Sequence, residues 1–254
     1  MTTTILLDSD IVAYQFASAA QDTFNFGDTG ICNHVDEFDS VVPLVHKWIQ
    51  DLMEKLHADE LVVCLSVPTA EGFRIKLLPT YKGNRKSVQK PVLLQLVKDY
   101  LANEYSSYIR PELEADDVMG ILATHQTIVK GRKIIVSEDK DMQTIPCQLY
   151  NPRKHGKPVP ISEEMANYYH MYQTLIGDTT DGYKGCPGVG PVKAERILND
   201  HLHEDWWPYV VSTYISKGLT EEDALIQAQV ARICRADDYD FTNKRVKLWS
   251  PSTQ

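Results

Sequence analysis

Acidic residues are the most suggestive chemical feature of this 254-residue chain, and they occur in groups. The densest group is Glu114-Ala115-Asp116-Asp117, which follows Pro111 and precedes an apolar run. A proline ahead of an acidic turn predicts a helix N-terminus, so Glu114 and Asp117, three apart, project from one helix face. Carboxylate oxygens are the ligands that Mg²⁺ prefers, so these acids predict half of a metal site. The alternative is a helix start without function, because the helix dipole favours acids there.

Three more acidic pairs favour the metal site because of where they occur. They are Asp8 and Asp10, Asp139 and Asp141, and Asp178 and Asp181. The first two pairs follow short apolar runs that are typical of buried strands, and residues two apart in an extended chain lie on one side. Ligands of parallel sheets bind at the carboxyl ends of the strands. The sequence therefore predicts that the acids converge at that edge.

Apolar periodicity predicts an α/β fold with a parallel-type central sheet covered by helices on both faces. The strands are expected at residues 4–8, 60–66 and from 132, and the helices at 11–20, 41–56, 92–101, 163–176 and 221–235. Residues 21–35 are rich in Asp, Asn, Gly and Thr and are expected to form a loop. The proline-rich stretch 151–161 predicts a boundary between residues 1–158 and residues 159–254.

Composition excludes several protein classes. Hydrophobic residues make up 43% of the chain and charged residues 24%, which is ordinary for a soluble globular protein. No apolar run approaches membrane-spanning length and the N-terminus lacks a basic start, so we expect a cytoplasmic protein with no membrane partner. The five cysteines are scattered and the eight histidines show no metal-binding spacing.

A net charge of −9 argues at first against a nucleic-acid partner. Cations bound to an acidic cluster would reverse the local sign, however, and the basic residues are unevenly distributed. The span 76–90 contains Lys76, Lys82, Arg85, Lys86 and Lys90 without an acid, and Tyr81 lies among them. Aromatic rings stack on bases while cations bind phosphates, so this span suits a flexible nucleic-acid-handling loop. The alternative is a solvated basic turn.

A glycine-rich turn, Gly188-Val189-Gly190, precedes Pro191 at a predicted helix start, with Lys193 inside the helix. Backbone N–H groups at a positive helix end form a phosphate cradle. The turn lacks the spacing of a nucleoside-triphosphate loop and the strand context of a dinucleotide fold. A purely structural connection between two helices is the alternative.

Six segments in this order resemble the flap endonuclease and 5′→3′ exonuclease family, closest to the exonucleases of short-tailed bacteriophages. The segments are Leu6-Leu7-Asp8-Ser9-Asp10, Tyr81-Lys82-Gly83-Asn84-Arg85-Lys86, Glu114-Ala115-Asp116-Asp117-Val118-Met119-Gly120, Ser137-Glu138-Asp139-Lys140-Asp141, Gly177-Asp178-Thr179-Thr180-Asp181-Gly182 and Gly188-Val189-Gly190. The resemblance implies a PIN-like nuclease core followed by a helix-three-turn-helix region that grips duplex DNA. It implies a monomer, in the host cytoplasm if phage-encoded, acting on duplex 5′ ends, flaps and RNA–DNA hybrids.

The resemblance also implies roles for individual residues. The implied ligands of two Mg²⁺ or Mn²⁺ ions are Asp8, Glu114, Asp116, Asp117, Asp139, Asp141, Asp178 and Asp181. An arch at about residues 74–90 would admit the 5′ strand, with Tyr81, Lys82, Arg85 and Lys86 contacting DNA and with Lys82 and Arg85 catalytic. Gly188, Gly190 and Lys193 would hold the duplex backbone, with K⁺ bound at the turn.

The sequence departs from the family pattern at one position. The family has an acid just after the second strand, where this chain has Ser66 and Val67. Asp10 or Glu71 could compensate for it. If neither does, the chain would be a weakened nuclease or a branch-binding protein that has lost catalysis.

A third interpretation is a phosphatase of the haloacid dehalogenase type, because Asp8 and Asp10 after a first strand resemble its nucleophile motif. Asp8 would then be phosphorylated and Asp10 would be the general acid. That interpretation explains neither the basic segment around Tyr81 nor the Gly188–Gly190 turn.

Overall fold

A central six-stranded sheet organises the protein in the computed structural model, which describes residues 2–25, 31–87, 89–201 and 205–251. In spatial order its strands are β5 (Ser106–Tyr108), β4 (Glu60–Cys64), β1 (Thr3–Asp8), β6 (Arg132–Val136), β7 (Cys147–Tyr150) and β8 (Val159–Ile161). Neighbouring strands run parallel from β5 through β7, and β8 is antiparallel to β7. The predicted α/β fold with a mostly parallel sheet is confirmed.

Strand β1 lies at the centre of the sheet because its apolar side chains are buried on both faces. Ile5, Leu6 and Leu7 have no exposed surface, as parallel strands covered by helices require. In the register of the sheet, Asp8 pairs with Cys64 of β4 and Leu7 pairs with Val136 of β6. The carboxyl ends of these three strands therefore meet at one edge.

Helices cover both faces of this sheet, and alternate residues of β1 divide between the two cores. Ile5 and Leu7 pack with α1 (Ser9–Ala19), α2 (Phe38–Leu56) and α4 (Leu94–Glu104). Leu6 packs with α5 (Ala115–Thr124) and with Phe73 of the short helix α3 (Phe73–Leu77). None of the helices in the described ranges is both long and apolar enough to span a bilayer.

The C-terminal part of the chain is helical and packs around its own core. Its helices are α6 (Glu163–Ile176), α7 (Pro191–Asn199), α8 (Trp207–Ile215) and α9 (Glu221–Ala231). As predicted, α6 begins after Ser162, whose hydroxyl accepts a hydrogen bond from the Met165 N–H, and ends at Gly177. Strand β8 belongs to the sheet although it follows residue 158, and Ile233 packs in the core under α5. Contacts of this kind join the two parts of the chain.

The expected loop at 21–35 is wrong, because the described residues there form an antiparallel hairpin of β2 (Gln21–Asn25) and β3 (Ile31–Val35). Residues 26–30, within the same expected loop, lie outside the described ranges. The two strands are polar and separate from the main sheet, so they lack the apolar alternation that identifies a strand. Near the C-terminus, β9 (Tyr239–Asp240) and β10 (Arg245–Val246) form a second short antiparallel pair.

Two glycines fix the turn that follows α6. Gly177 and Gly185 have φ of +70° and +62°, and a Cβ on Gly177 would meet the backbone of Lys184 and Gly185. Within this turn, the N–H of Asp178 donates to the carbonyl of Tyr183 at 2.8 Å, and the reverse bond measures 3.0 Å. The glycines thus permit the close backbone approach that holds Asp178 and Asp181 against the sheet edge.

We predict that Gly177→Ala lowers the free energy of unfolding by roughly 2–4 kcal/mol, because alanine is strained at positive φ and its Cβ has no space here. Thermal unfolding monitored by circular dichroism measures the change. The matched control is Gly156→Ala, an exposed position where an added Cβ meets nothing within 4 Å. Equal stability of the two variants would contradict the role of the Gly177 turn.

Candidate active site

Local hydrogen bonds fix the acids that follow β1 and β6. The Asp8 carboxylate accepts hydrogen bonds from the Ile11 N–H at 3.2 Å and from the Ser137 hydroxyl at 2.7 Å. Asp139 begins the 3-10 turn Lys140–Thr144 and accepts a hydrogen bond from the Asp141 N–H at 2.8 Å. Because β1 and β6 are parallel neighbours, both acids lie at the same edge.

Helix α5 and the turn after α6 bring further acids to this edge. Glu114 is the N-cap of α5 rather than a residue within it, and Asp116 lies in the first turn. A cavity of about 120 Å³ is lined by Asp8, Asp10, Glu114, Asp116, Asp139 and Asp181, together with Lys82 and Arg85. A larger cavity of about 890 Å³ shares Asp10, Ser66, Lys82, Arg85 and Glu114 with it. The two cavities therefore adjoin.

Burial and mutual repulsion perturb most of these acids. Burial, reinforced by the charges of Asp10 and Asp139, raises the pKa of Asp8 to about 7. Burial and the charge of Asp139 raise the pKa of Asp141 to about 7. Burial likewise raises the pKa of Asp116 and of Asp139, and Asp8 adds to the effect at Asp116. Such shifts are typical of functional sites, because charges that would cost stability elsewhere are kept there.

Lysine and arginine side chains neutralise the other acids. Lys82 Nζ lies 2.6 Å from Glu114 Oε1 and 3.8 Å from Asp181 Oδ2, and Arg85 Nη2 lies 2.5 Å from Asp181 Oδ1. Although burial opposes ionisation, Lys82 and Arg74 lower the pKa of Glu114 to about 2.

A second lysine lowers the pKa of an acid in the turn after α6. Lys140 Nζ lies 2.7 Å from Asp178 Oδ2 and, against the effect of burial, lowers the pKa of that carboxyl group. The site thus combines acids of raised pKa with acids held ionised by cations.

Six of the acids line one cleft, whereas Asp141 and Asp178 do not line it, and the acids do not surround one point. Within the described ranges, no three histidine, cysteine, aspartate or glutamate side chains are arranged as ligands of a single ion. Glu114 and Asp181 hydrogen-bond to Lys82 and Arg85, and Gln173 Nε2 donates to Asp141 Oδ1 at 2.5 Å. Binding an ion would therefore require these side chains to exchange partners.

Asp117, a predicted metal ligand, does not line the cleft in this structure. Asp117 is fully buried, and both of its oxygens accept hydrogen bonds from Arg74, at 2.6 and 2.7 Å. It also accepts from the backbone N–H groups of Glu114 and Cys234, at 3.1 and 3.0 Å. Asp117 therefore points into the protein, because its cationic partner comes from another helix that the local sequence does not reveal.

Tyr81, predicted to contact DNA, is not presented for base stacking in this structure, because only 3% of its surface is exposed. Its hydroxyl donates to Glu114 Oε2 at 2.8 Å and lies 3.1 Å from Asp181 Oδ2. The expected arch is partly ordered structure: α3 opens it, and a 3-10 turn, Gly83–Ser87, follows Tyr81. The side chain of Lys86 and all of residue 88 lie outside what the structure describes.

Lys82 has an unusual backbone as well as a charged side chain in the cleft. Its φ of +52° is uncommon for a residue other than glycine, and its N–H donates to the Asp181 carbonyl at 2.7 Å. A Cβ on Gly182 would lie 2.9 Å from the Thr80 carbonyl oxygen, so the two turns are in close contact. The segment at 80–85 therefore docks on the turn that carries Asp181.

The Gly188–Gly190 turn forms as predicted. Gly188 has φ +70°, Gly190 is the N-cap of α7, and Pro191 follows at its start. Lys193 lies in the first turn of α7 and is half-buried. The Lys217 Nζ lies 3.9 Å from where a Gly188 Cβ would be, which adds a cation that no sequence pattern associates with this turn.

Asp10 faces the position where an acid is missing. Because Asp8 pairs with Cys64, Asp10 comes to lie beside Ser66, whose N–H donates to Asp10 Oδ2 at 3.2 Å. Lys98 Nζ of α4, which the sequence does not indicate, lies 2.6 Å from Asp10 Oδ1. Val67 lines the larger cavity, whereas Glu71 is exposed and lines neither cavity. Asp10 is thus the better placed of the two candidate substitutes.

Sequence comparisons agree with the predicted resemblance. The model of the 5′-3′ exonuclease N-terminal resolvase-like domain matches residues 4–166. The exonuclease of Escherichia phage T7 is 31% identical, over 97% of this chain and 93% of that protein. The flap endonuclease Xni of Shewanella halifaxensis is 34% identical over 51% of this chain and 55% of that protein.

Solved structures share the fold. A phage T5 flap endonuclease in a pseudo-enzyme-product complex with DNA and metal ions has a TM-score of 0.62 at 15% identity, covering 91% of this chain and 89% of that one. The T5 5′-exonuclease with bound zinc has a TM-score of 0.60 at 16% identity, covering 91% and 93%. Since the family model covers more than half of the chain and the T7 enzyme matches nearly all of it, the chain belongs to the 5′-3′ exonuclease family.

Proposed function

We propose that this protein is a metal-dependent nuclease that hydrolyses phosphodiester bonds at 5′ ends and 5′ flaps of DNA. The observation that carries the proposal is the cleft at the carboxyl edge of β1 and β6, in which six acids lie beside Lys82 and Arg85. Carboxylates that bind cations, next to cations that bind phosphate, are the two parts that phosphodiester hydrolysis needs.

The acids of the cleft suit Mg²⁺ or Mn²⁺. Their oxygens are hard ligands, and the raised pKa values of Asp8 and Asp141 reflect burial and, to a smaller extent, neighbouring negative charge, both of which a bound divalent ion would offset. We infer that Asp8, Glu114, Asp116 and Asp139 would hold one ion and that Asp141, Asp178 and Asp181 would hold a second. When bound, such ions polarise the phosphoryl group and lower the pKa of water. Asp10, which lies beside Ser66 and pairs with Lys98, would take the place of the acid missing at Val67 if it exchanged that lysine for an ion.

Lys82 and Arg85 would stabilise negative charge on the phosphoryl group. Both line the acidic cleft as well as the larger adjoining cavity of about 890 Å³. Their present partners, Glu114 and Asp181, are the acids assigned to the ions. Once ions neutralise those acids, the two cations become free to bind phosphate. The left-handed backbone of Lys82 supports a functional role, since such strain concentrates at active sites.

The Gly188–Gly190 turn would bind the duplex backbone away from the cleft. Its glycines leave the start of α7 open, and Lys193 and Lys217 add positive charge. K⁺ at this turn, action on RNA–DNA hybrids and a monomeric state stay predictions. The DNA partner is supported by the names of the relatives, an exodeoxyribonuclease of Enterobacteria phage T3 among them, 32% identical over 74% of this chain and 73% of that protein.

The two alternatives gain less support. A branch-binding protein without catalysis is favoured only by Val67, and Asp10 lies next to that position. A phosphatase would need Asp10 free as general acid, whereas Lys98 and the Ser66 N–H hold its carboxylate. The family match also disfavours the phosphatase.

We predict that Asp139→Asn leaves the protein folded and lowers the cleavage rate by about 10³-fold, because a neutral amide oxygen binds a divalent ion much more weakly than a carboxylate does. The measurement is release of short 5′ products from a 5′-labelled flap substrate in Mg²⁺, with EDTA as the metal-free reaction.

The matched control for this experiment is Glu138→Gln, the adjacent acid, which pairs with Arg153 at 2.8 Å and does not line the cleft. It should cleave at nearly the rate of the unaltered protein. A near-normal rate in Asp139→Asn would contradict the assigned role. Flap binding without cleavage by the unaltered protein would favour the branch-binding alternative.

Stability without metal should depend on pH in a defined direction. Asp8 has a pKa of about 7 in the folded protein and about 3.8 when unfolded, so between these values the folded state retains a proton that the unfolded chain has lost. The contribution of Asp8 to the unfolding free energy in EDTA should therefore fall as pH rises from about 4 to about 7, and Asp141 should act in the same direction. Buried His170, whose pKa is lowered to about 3, acts in the opposite direction up to about pH 6.5. Mg²⁺ should oppose this loss more strongly at the higher pH.

Thermal unfolding at pH 5 and pH 8, with EDTA or Mg²⁺, tests this pH dependence. Asp8→Asn should flatten the dependence in EDTA. An Asp8→Asn variant whose metal-free pH dependence equals that of the unaltered protein would contradict the raised pKa of Asp8.

A further inference from the structure

The guanidinium of Arg74, in the short helix α3, is buried and uses all of its N–H groups. It donates to five acceptors: Nε to the Val230 carbonyl at 2.9 Å, Nη2 to the Arg232 carbonyl at 2.7 Å, Nη1 and Nη2 to the two Asp117 oxygens, and Nη1 to Glu114 Oε2 at 3.2 Å. Its side chain is 4% exposed. A buried arginine with five satisfied donors has one orientation, because every rotation would leave a donor unpaired.

Asp117 completes the arrangement from the side of α5. Besides the two bonds from Arg74, its oxygens accept from the N–H groups of Glu114 and Cys234. The bond to the Glu114 N–H fixes the backbone at the start of α5, where the Glu114 side chain emerges. Asp117 thus does not line the cleft, yet it fixes the backbone position from which the Glu114 side chain enters the cleft.

Hydrogen bonds from Arg74 and its neighbours also fix the two carboxylate oxygens of Glu114. Glu114 Oε2 accepts from Arg74 and from the Tyr81 hydroxyl, while Oε1 accepts from Lys82. The inner oxygen of Glu114 therefore faces Arg74, and the outer oxygen lies toward the cleft. Tyr81 extends the arrangement to Asp181 at 3.1 Å.

The carbonyl and N–H partners of Arg74 and Asp117 come from residues 230–234, at the C-terminal end of α9 and directly after it. This segment is 116 residues from Glu114 at Val230 and lies outside residues 4–166, which the family model matches. Residues 230–234 pack on both α5 and the basic segment, residues 76–90. Ile233 lies under α5 and Val230 lies beside Tyr81. Residues 230–234 thus stabilise the start of α5 on the side opposite the cleft.

We propose that Arg74 and Asp117 are positioning residues that set the Glu114 carboxylate by bracing α3 and α5 against the backbone of residues 230–234. The proposal rests on the proposed role of Glu114 in the cleft. It assigns to Asp117 a function in the reaction that involves no metal contact. It also makes the segment beyond the matched domain part of the catalytic architecture.

The experiment compares Arg74→Lys, Asp117→Asn and the double variant Arg74→Met/Asp117→Leu. An ammonium group cannot reproduce a planar fork of five donors, and an asparagine cannot accept at both positions. The double variant removes both charges together, so that no unpaired charge is left buried. The control is Arg235→Lys, a largely buried arginine of the same region that donates to the Thr144 carbonyl at 3.0 Å and has no contact with Glu114.

Each folded variant is assayed for kcat, KM and Mg²⁺ dependence on a 5′-flap substrate, well below its unfolding temperature. We expect kcat to fall by about 10²-fold in each of the three variants, since a displacement of about 1 Å in a reacting group has that effect. KM should change by less than about twofold, and the double variant should lose no more than a single one, because the two residues act as one unit. Arg235→Lys should keep kcat near that of the unaltered protein.

Three results would overturn the proposal. The first is a kcat near that of the unaltered protein in folded Asp117→Asn or in the double variant. The second is a higher Mg²⁺ concentration for the half-maximal rate in Asp117→Asn but not in Arg74→Lys, which would make Asp117 a ligand. The third is loss of folding in all three variants, which would leave the pair a purely structural role. Failure of the unaltered protein to cleave would instead count against the proposed function.

Discussion

The burial of many carboxylates at one sheet edge, where they also repel one another, is the constraint on which this structure depends. Acids placed at one sheet edge in a poorly solvated cleft cannot all remain ionised unless cations lie close to them. The chain supplies those cations from different elements: Arg74 for Asp117, Lys82 for Glu114, Lys140 for Asp178, Arg85 for Asp181 and Lys98 for Asp10. Where no cation is near, as at Asp8, the pKa rises instead. In both cases a bound divalent ion would stabilise the ionised carboxylates.

The same charges explain how distant parts of the chain are joined. The turn after α6 carries Asp181 to the basic segment, where Arg85 and Lys82 bind it, and the Asn84 side chain donates to the Thr179 carbonyl at 3.0 Å. Arg74 holds the end of α9 and the segment after it by donating to the carbonyls of Val230 and Arg232. Ion pairs that neutralise the cleft are therefore also contacts between the sheet and the C-terminal helices, so that assembling the site and closing the fold occur together.

Much of the fold and the position of the acids follows from local sequence. The apolar runs before Asp8 and Asp139 identify buried strands, and the order of strands and helices identifies a parallel sheet, whose carboxyl edge must then carry the acids. These inferences need only neighbouring residues, and they hold.

The directions of individual side chains, which sequence patterns do not predict, depend on distant partners. Asp117 shares the acidic motif of Glu114 but turns inward to Arg74, 43 residues away. Tyr81 lies among cations in sequence but is buried against Glu114. Lys98 and Lys217 become part of the candidate surfaces only through packing. A motif shows which residue types are present, whereas the direction in which each side chain points is decided by tertiary contacts.

The most direct test of the metal-site account is a crystal structure of the protein with Mn²⁺, with the ions located by anomalous scattering. We expect Mn²⁺ in the cleft on oxygens of Asp8, Glu114, Asp116 or Asp139, with Lys82 moved off Glu114 and with Asp117 still bound to Arg74. An ion bound by Asp117, or a cleft without Mn²⁺ at saturating concentration, would contradict the account.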